Sequence, residues 1–183
     1  MMISANHIAA FARLVLDCEE SVQSRSSPSA VGALLTLLHQ GPMSASELAR
    51  VFRVRQPTAH RLVANLSAAG LVKRQASPGR DIRYTLSATG RRRAVEVQAR
   101  RLDAVNGLLG VLSTRERAAL DGLVSRILAA ATEDRATARY MCRFCDHGVC
   151  DGSDCPVGTA ARTREDAADR PAPELMTAGR GRP

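Results

Sequence analysis

Four of the five cysteines fall inside one short stretch, spaced Cys142-x2-Cys145-x4-Cys150-x4-Cys155. Thiolates at such spacing are metal ligands by type and by reach. A Cys-x2-Cys pair lets one turn aim two sulfurs at one ion, and Gly148 and Gly152 allow the bends that bring in the other two. Zinc held by Cys142, Cys145, Cys150 and Cys155 is the leading reading, with an iron-sulfur cluster as the alternative. Reversible disulfides or free thiols stay open as a third, since a cytoplasm seldom keeps plain structural disulfides. Charge does not choose among them, because Asp146, Asp151 and Asp154 would act on zinc and on an oxidised two-iron cluster alike. His147 could substitute as a ligand but reads as a solvent-facing loop residue. The fifth, Cys18, sits in another segment among Asp17, Glu19 and Glu20 and is given no sensing role.

A second constellation points to nucleic acid. From Arg50 to Arg101 there are thirteen Arg or Lys against two acids, Asp81 and Glu96, a local surplus of eleven on a chain whose net charge is +8. Concentrated positive charge displaces counterions from phosphates, which supplies affinity but no choice of sequence. Choice needs side chains at base edges, and Arg55, Gln56, Thr58, His60 and Arg61 offer the right donors and acceptors on one face. Lys73 and Arg74 are expected to meet phosphates. Arg80 is the candidate for insertion into a minor groove, and Arg83 is either a further contact or the partner of Asp81 at the base of a hairpin.

These residues need particular elements to hold them. Ser44-Ala-Ser-Glu47 has capping-box spacing, so a short helix begins there and ends near Arg53. Pro57 suits the first turn of the next helix, where Ala59, Leu62, Val63, Leu66 and Ala69 recur on a core face and Gly70 supplies the stop. The period then changes. Leu71–Gln75 and Arg83–Leu86 read as strands, joined by the turn chemistry of Ser77-Pro78-Gly79-Arg80-Asp81. Apolar stripes on both sides mark further helices: Ile8, Phe11, Ala12, Val15 and Leu16; Val31, Leu34, Leu35 and Leu38 before the Gly41-Pro42 break; Leu102, Val105, Leu109 and Leu112; and Leu120, Leu123, Val124, Ile127, Leu128 and Ala131. The fold class is mainly α with a small β-wing, a winged helix-turn-helix domain plus a helical dimerisation region.

The run Gln56-Pro-Thr-Ala-His-Arg-Leu-Val63, the Leu66-x3-Gly70-Leu71-Val72 helix exit, the Asp81-Ile82-Arg83 step and Leu86-Ser-Ala-Thr-Gly90 together resemble the MarR family of winged-helix regulators. Leu112-Ser-Thr-Arg-Glu-Arg117 is similar to the start of that family's last helix, so the resemblance spans roughly residues 5 to 140. It implies double-stranded DNA as partner, a homodimer built by the terminal helices, a pseudo-palindromic operator with half-sites about one helical turn apart, and a possible small-molecule effector. Repression is the usual sign of regulation in that family. The cysteine loop in turn resembles the zinc knuckle in spacing, with Cys150 where the knuckle has His, and resembles the cluster loops of SoxR-type iron-sulfur regulators in the Pro after its last Cys.

The expected organisation is N-terminal helices over 1–40, the winged helix-turn-helix over 41–90, C-terminal dimerisation helices over 91–140, a four-cysteine metal-binding loop over 141–158 and a disordered tail over 159–183. No apolar run approaches the roughly 20 residues that cross a bilayer, and no leader pattern opens the chain, so a cytoplasmic protein is expected. An enzyme is not expected, since no Ser-His-Asp set, phosphate-binding glycine loop or paired catalytic carboxylate is recognisable. Two other classes compete with a regulator. A thiol- or redox-active metal protein would need its Cys-x2-Cys on a strand-to-helix turn of an α/β fold, and an architectural nucleic-acid-binding protein with a knuckle would need stacking aromatics beyond Phe144 and Tyr140.

Overall fold

The computed structural model of the chain describes residues 2–22, 27–76, 82–150 and 152–169. Its centre is a helix with almost no outside. After α1 (Met2–Val22), α2 (Pro28–Gln40) starts on Ser27, whose hydroxyl accepts the Ala30 amide, with Pro28 in the first turn. Seven consecutive residues, Val31 to Leu37, are buried, which is the mark of a helix covered on every side. Gly41 ends it at φ 81°, ψ −168°, a backbone setting essentially reserved for glycine.

The chain then lays down β1 (Met43–Ser44), α3 (Ala45–Phe52), α4 (Gln56–Ala68), β2 (Val72–Ala76) and β3 (Ile82–Leu86). The strands form one antiparallel sheet in the order β1-β3-β2, with Met43 opposite Tyr84 and Val72 opposite Leu86. Val31, Leu34, Leu35, Leu48, Val51, Val63, Leu66, Val72 and Val97 make the main core, so α2, α3, α4, β2 and the following helix share one apolar centre. At the exit of α4, Ala69 is exposed rather than turned to the core, because the helix has already ended there, and Gly70 follows at φ 68°.

Helix α5 (Ala88–Leu108) begins where the hairpin closes. Ser87 accepts the Gly90 amide on its hydroxyl and donates to the Gly70 carbonyl, while its own amide reaches the Leu71 carbonyl. A Cβ on Gly90 would lie 1.9 Å from the Leu71 carbonyl oxygen, so the start of α5 can approach β2 this closely only as glycine. A 3₁₀ turn (Leu109–Val111) leads to α6 (Thr114–Ala131), opened by a second capping box between Ser113 and Glu116. The mainly helical winged-helix architecture expected from the sequence is the one observed.

Beyond α6 the expectation fails. Residues 141–158 are not an open loop, and the tail does not begin at 159. Helix α7 (Arg135–Met141), capped by Asp134, runs into 3₁₀ turns at Cys142–Phe144 and Gly152–Asp154 and then into α8 (Pro156–Ala168). The reasons are local and tertiary together. Cys155 caps α8 by accepting the Gly158 amide on its sulfur at 3.2 Å, Pro156 fills the first turn, and Val157 and Ala161, one turn apart, bury against Ala138, Leu128 and Met141. Arg135 then holds Glu165 through two nitrogens. Of the expected disordered tail, residues 170–183 lie outside the described residues.

Replacing Gly90 with Ala should destabilise the protein by about 3 kcal/mol, the upper range for overpacking, because the obstructing atom is backbone and cannot rotate away. Urea denaturation of the two proteins measures it. A loss below a few tenths of a kcal/mol would contradict the close approach of α5 to β2.

Candidate nucleic-acid interface and cysteine centre

Helix α3 is set by its first turn. The Ser44 hydroxyl accepts the Glu47 amide at 3.2 Å, and the Glu47 carboxylate accepts the Ser44 amide at 2.7 Å. Arg83 of β3 joins the same carboxylate at 3.0 Å and also donates two hydrogen bonds to the Pro42 carbonyl, at 2.7 and 3.1 Å. Arg83, expected as a DNA contact or as the partner of Asp81, is therefore engaged inside the fold, where it ties the wing to the start of α3. Burial pulls the Glu47 carboxyl up, but hydrogen bonds to Ser44 and the charge and hydrogen bond of Arg83 outweigh it and leave the group below its ordinary value.

Arg53 ends α3 in the left-handed region, at φ 53°, ψ 41°, and Arg55 stands at the cap of α4. Pro57 lies in the first turn of α4, where the sequence places it. Ala59, Val63 and Leu66 face the core, which turns Arg55, Gln56, Thr58, His60, Arg61 and Asn65 outward together. Gln56 donates to the Ser46 hydroxyl at 3.3 Å, so its amide also spans the two helices. Lys73 and Arg74 are exposed on β2. Arg80 and Asp81, with the rest of the wing tip, lie outside the described residues.

Sequence reasoning passed over Arg53. Its guanidinium lies 4.3 Å from the centre of the Tyr140 ring and donates to the Thr137 hydroxyl, so α7 is anchored to the turn between α3 and α4. No local signal could have given this, since the partners are more than eighty positions apart.

The cysteine segment folds back on the winged-helix core. Phe144 sits over Gly32 of α2, where an added Cβ would come within 2.9 Å of its ring and 2.7 Å of Phe52. The Phe144 carbonyl accepts from Gln98 at 3.3 Å and Arg101 at 3.1 Å, both buried on α5. Thr36, buried on α2, donates its hydroxyl to the Arg143 carbonyl at 3.2 Å. His147, expected to face solvent, is half-buried, with its amide on His39 Nδ1 at 3.4 Å and its ring 5.3 Å from the His39 ring. Burial is the main cause that holds His39 below its ordinary value, and it outweighs the hydrogen bond with Gln98.

Cys142, Cys150, Cys155, His39, His147 and Arg139 line one cleft of about 380 Å³. Cys145, at the end of the turn that starts at Cys142, hydrogen-bonds the Cys142 thiol. That hydrogen bond, then burial, then negative charge at Cys145, Cys155 and Cys150 push the Cys142 thiol up from its ordinary value. Among the described residues, no three His, Cys, Asp or Glu side chains stand in metal-ligating geometry.

A capped helix, a three-residue turn, a second helix with a polar outer face and an antiparallel hairpin define a winged helix-turn-helix protein. Residues 27–80 match the model of the MarR family. A MarR family protein from Bacillus stearothermophilus is similar at a TM-score of 0.64 and 20% identity over 69% of this chain and 91% of that one. RV1404 from Mycobacterium tuberculosis gives 0.65 at 20% identity, over 73% and 95%. A probable transcriptional regulator from Pseudomonas aeruginosa gives 0.52 at 28%, over 68% and 96%. No curated protein sequence matches the chain. The fold is that of MarR-family transcriptional regulators, and more than a quarter of this chain has no counterpart in these three structures.

Ser44→Ala should cost about 1 kcal/mol of stability, the usual loss for a helix cap. The sign of the Glu47 contribution with pH follows from its depressed value: the stability is present above pH 4.5, the ordinary value, and is lost as pH falls through the folded one. Unfolding midpoints of wild type and Glu47→Gln should therefore converge as pH drops below 4.5. A gap that stays constant down to pH 3 would rule out the bonded carboxylate.

Proposed function

We propose that the protein is a sequence-specific, DNA-binding transcriptional regulator that works as a homodimer and most simply represses, by occupying the DNA it binds. The observation that carries this is the outward face of α4, where Arg55, Gln56, Thr58, His60 and Arg61 stand together on a helix of major-groove size while the opposite face is locked into the core. Lys73 and Arg74 supply phosphate contacts beside it, and Arg80 is assigned to the neighbouring minor groove.

Apolar side chains support the dimer. Ile8, Phe11, Leu14 and Leu16 on α1, and Leu123, Val124 and Ile127 on α6, are exposed, and exposed apolar side chains grouped on a helix in this way favour association. Two-fold pairing there leads to a pseudo-palindromic operator. No helix among the described residues is long and apolar enough to cross a membrane. The place of action is the cytoplasm, with the DNA. A small-molecule effector belongs to the proposal by analogy with NadR, a structural neighbour at 19% identity and a TM-score of 0.52 that is solved in complex with 4-hydroxyphenylacetate. The reading gives the chain no catalytic role.

The test uses duplexes selected by the protein from a random pool. Arg55→Ala or Arg61→Ala should cost about 1–3 kcal/mol per lost bidentate contact and relax base preference at one position in each half-site. Lys73→Ala or Arg74→Ala should weaken all sequences alike and lower the salt slope by about one. Uniform loss of affinity in all four variants, with base preference intact, would overturn the assignment of α4 as the reading helix. Separately, Ile127→Lys should shift sedimentation from dimer toward monomer.

A further inference from the structure

The C-terminal segment that follows α6 is joined to the winged-helix core at a few defined points. The Phe144 ring rests on Gly32, the Phe144 carbonyl takes hydrogen bonds from Gln98 and Arg101, and the Arg143 carbonyl takes one from Thr36. These contacts come from two residues, Arg143 and Phe144, in a short 3₁₀ turn. Short 3₁₀ turns have poor hydrogen-bond geometry and do not hold such a shape by themselves. The cysteines bracket the segment on both sides, so an ion bound to them would add to the hydrogen bonds and ring contacts that hold it.

We propose that Cys142, Cys145, Cys150 and Cys155 are the four ligands of one structural zinc ion, which fastens the C-terminal strap onto the winged-helix core. The chain brings them to one neighbourhood, although no three of them stand in ligating geometry without the ion. The Cys142–Phe144 turn, closed by the Cys145 amide on the Cys142 carbonyl at 3.1 Å, puts two thiols within hydrogen-bond reach of each other. Two sulfurs about 2.3 Å from a tetrahedral ion are themselves about 3.8 Å apart, the same scale as a thiol–thiol hydrogen bond. Cys150 is returned toward them by the turn in which the Val149 and Cys150 amides both reach the Asp146 carbonyl, and it faces the same cleft. Cys155 enters that cleft from the first turn of α8, with its sulfur on the Gly158 amide.

The balance is simple. Four thiols exchange four protons for one Zn²⁺, with no electron transfer, and leave a centre of charge −2. Arg139 and Arg162 line the cleft and offset that charge in part. The ion need draw the sulfurs together only locally, since Cys142, Cys150 and Cys155 already pack in one small cluster with Ala138, Val157 and Ala161. Because Phe144 lies between the first two ligands, fixing Cys142 and Cys145 fixes the ring on Gly32. This inference does not rest on the DNA-binding reading.

Full-length protein purified under reducing conditions should be colourless and contain one zinc per chain by mass spectrometry. One of its five thiols should react with Ellman's reagent before removal of the ion by a strong chelator, and all five afterwards. Its thermal midpoint should fall on chelation and recover with one equivalent of zinc chloride. Cys145→Ser and Cys150→Ser should lose the zinc, while Cys18→Ser keeps it. Phe144→Ala should keep the zinc but lose most of the thermal response, because the ion then fastens nothing to α2. Absence of zinc with no protection of thiols on adding it, or stoichiometric iron and sulfide with a visible absorption band, would overturn the proposal. An undiminished thermal response in Phe144→Ala would overturn the fastening role. The measurements on wild type stand whether or not the serine variants fold.

Discussion

Helix α2 has no solvent side from Val31 to Leu37, and a helix in that position dictates where its neighbours go. Each of Leu34, Leu35 and Leu37 is worth about 1.5–3 kcal/mol when fully covered, so leaving any side of the helix open would forfeit a sizeable share of the stability of a small domain. Helices α4 and α5 and strand β3 close part of the surface. The remainder is closed by Phe144, and Thr36 adds a polar reason for the same element. A buried hydroxyl without a partner costs about 1–3 kcal/mol, and its partner here is the Arg143 carbonyl. The C-terminal strap is thus part of the core that positions the reading helix.

A second economy lies in Glu47. One carboxylate caps α3 through the Ser44 amide and holds Arg83 of the wing, while the same arginine binds the Pro42 carbonyl next to β1. The angle between the helix-turn-helix and the hairpin is therefore held at this polar point in addition to the β1–β3 pairing and the packing of Val72 and Leu86 in the core. A groove-reading helix and a wing can address neighbouring grooves only if that angle is kept, which makes a half-buried ion pair more useful here than its modest net energy suggests.

What the sequence made legible is what obeys local rules. The capping box at Ser44 and the helix-stopping glycine at 70 are short-range requirements, and each appears where its spacing places it. Strand β1 was hidden because two residues carry no period. Helix α8 was hidden because its buried residues are only Val157 and Ala161, too few for an amphipathic pattern, and its cap is a cysteine that looked purely like a ligand. Arg83 on Glu47, Arg53 on Tyr140 and His147 on His39 join positions far apart in the chain, so no spacing could announce them. The cysteine spacing was plain; that the segment between the cysteines would complete the core was not.

The order of the chain gives the Phe144 seat a temporal meaning. Domains fold from the N-terminus as they are synthesised. The core shared by α2, α3, α4 and α5, complete in sequence by Val97, is synthesised before the residues that place Phe144 on Gly32 and accept the Thr36 hydroxyl. Until then its central helix is exposed along one strip. The nascent chain therefore carries an unfinished DNA-reading unit, whose last core residue arrives only after both of its terminal long helices have been translated.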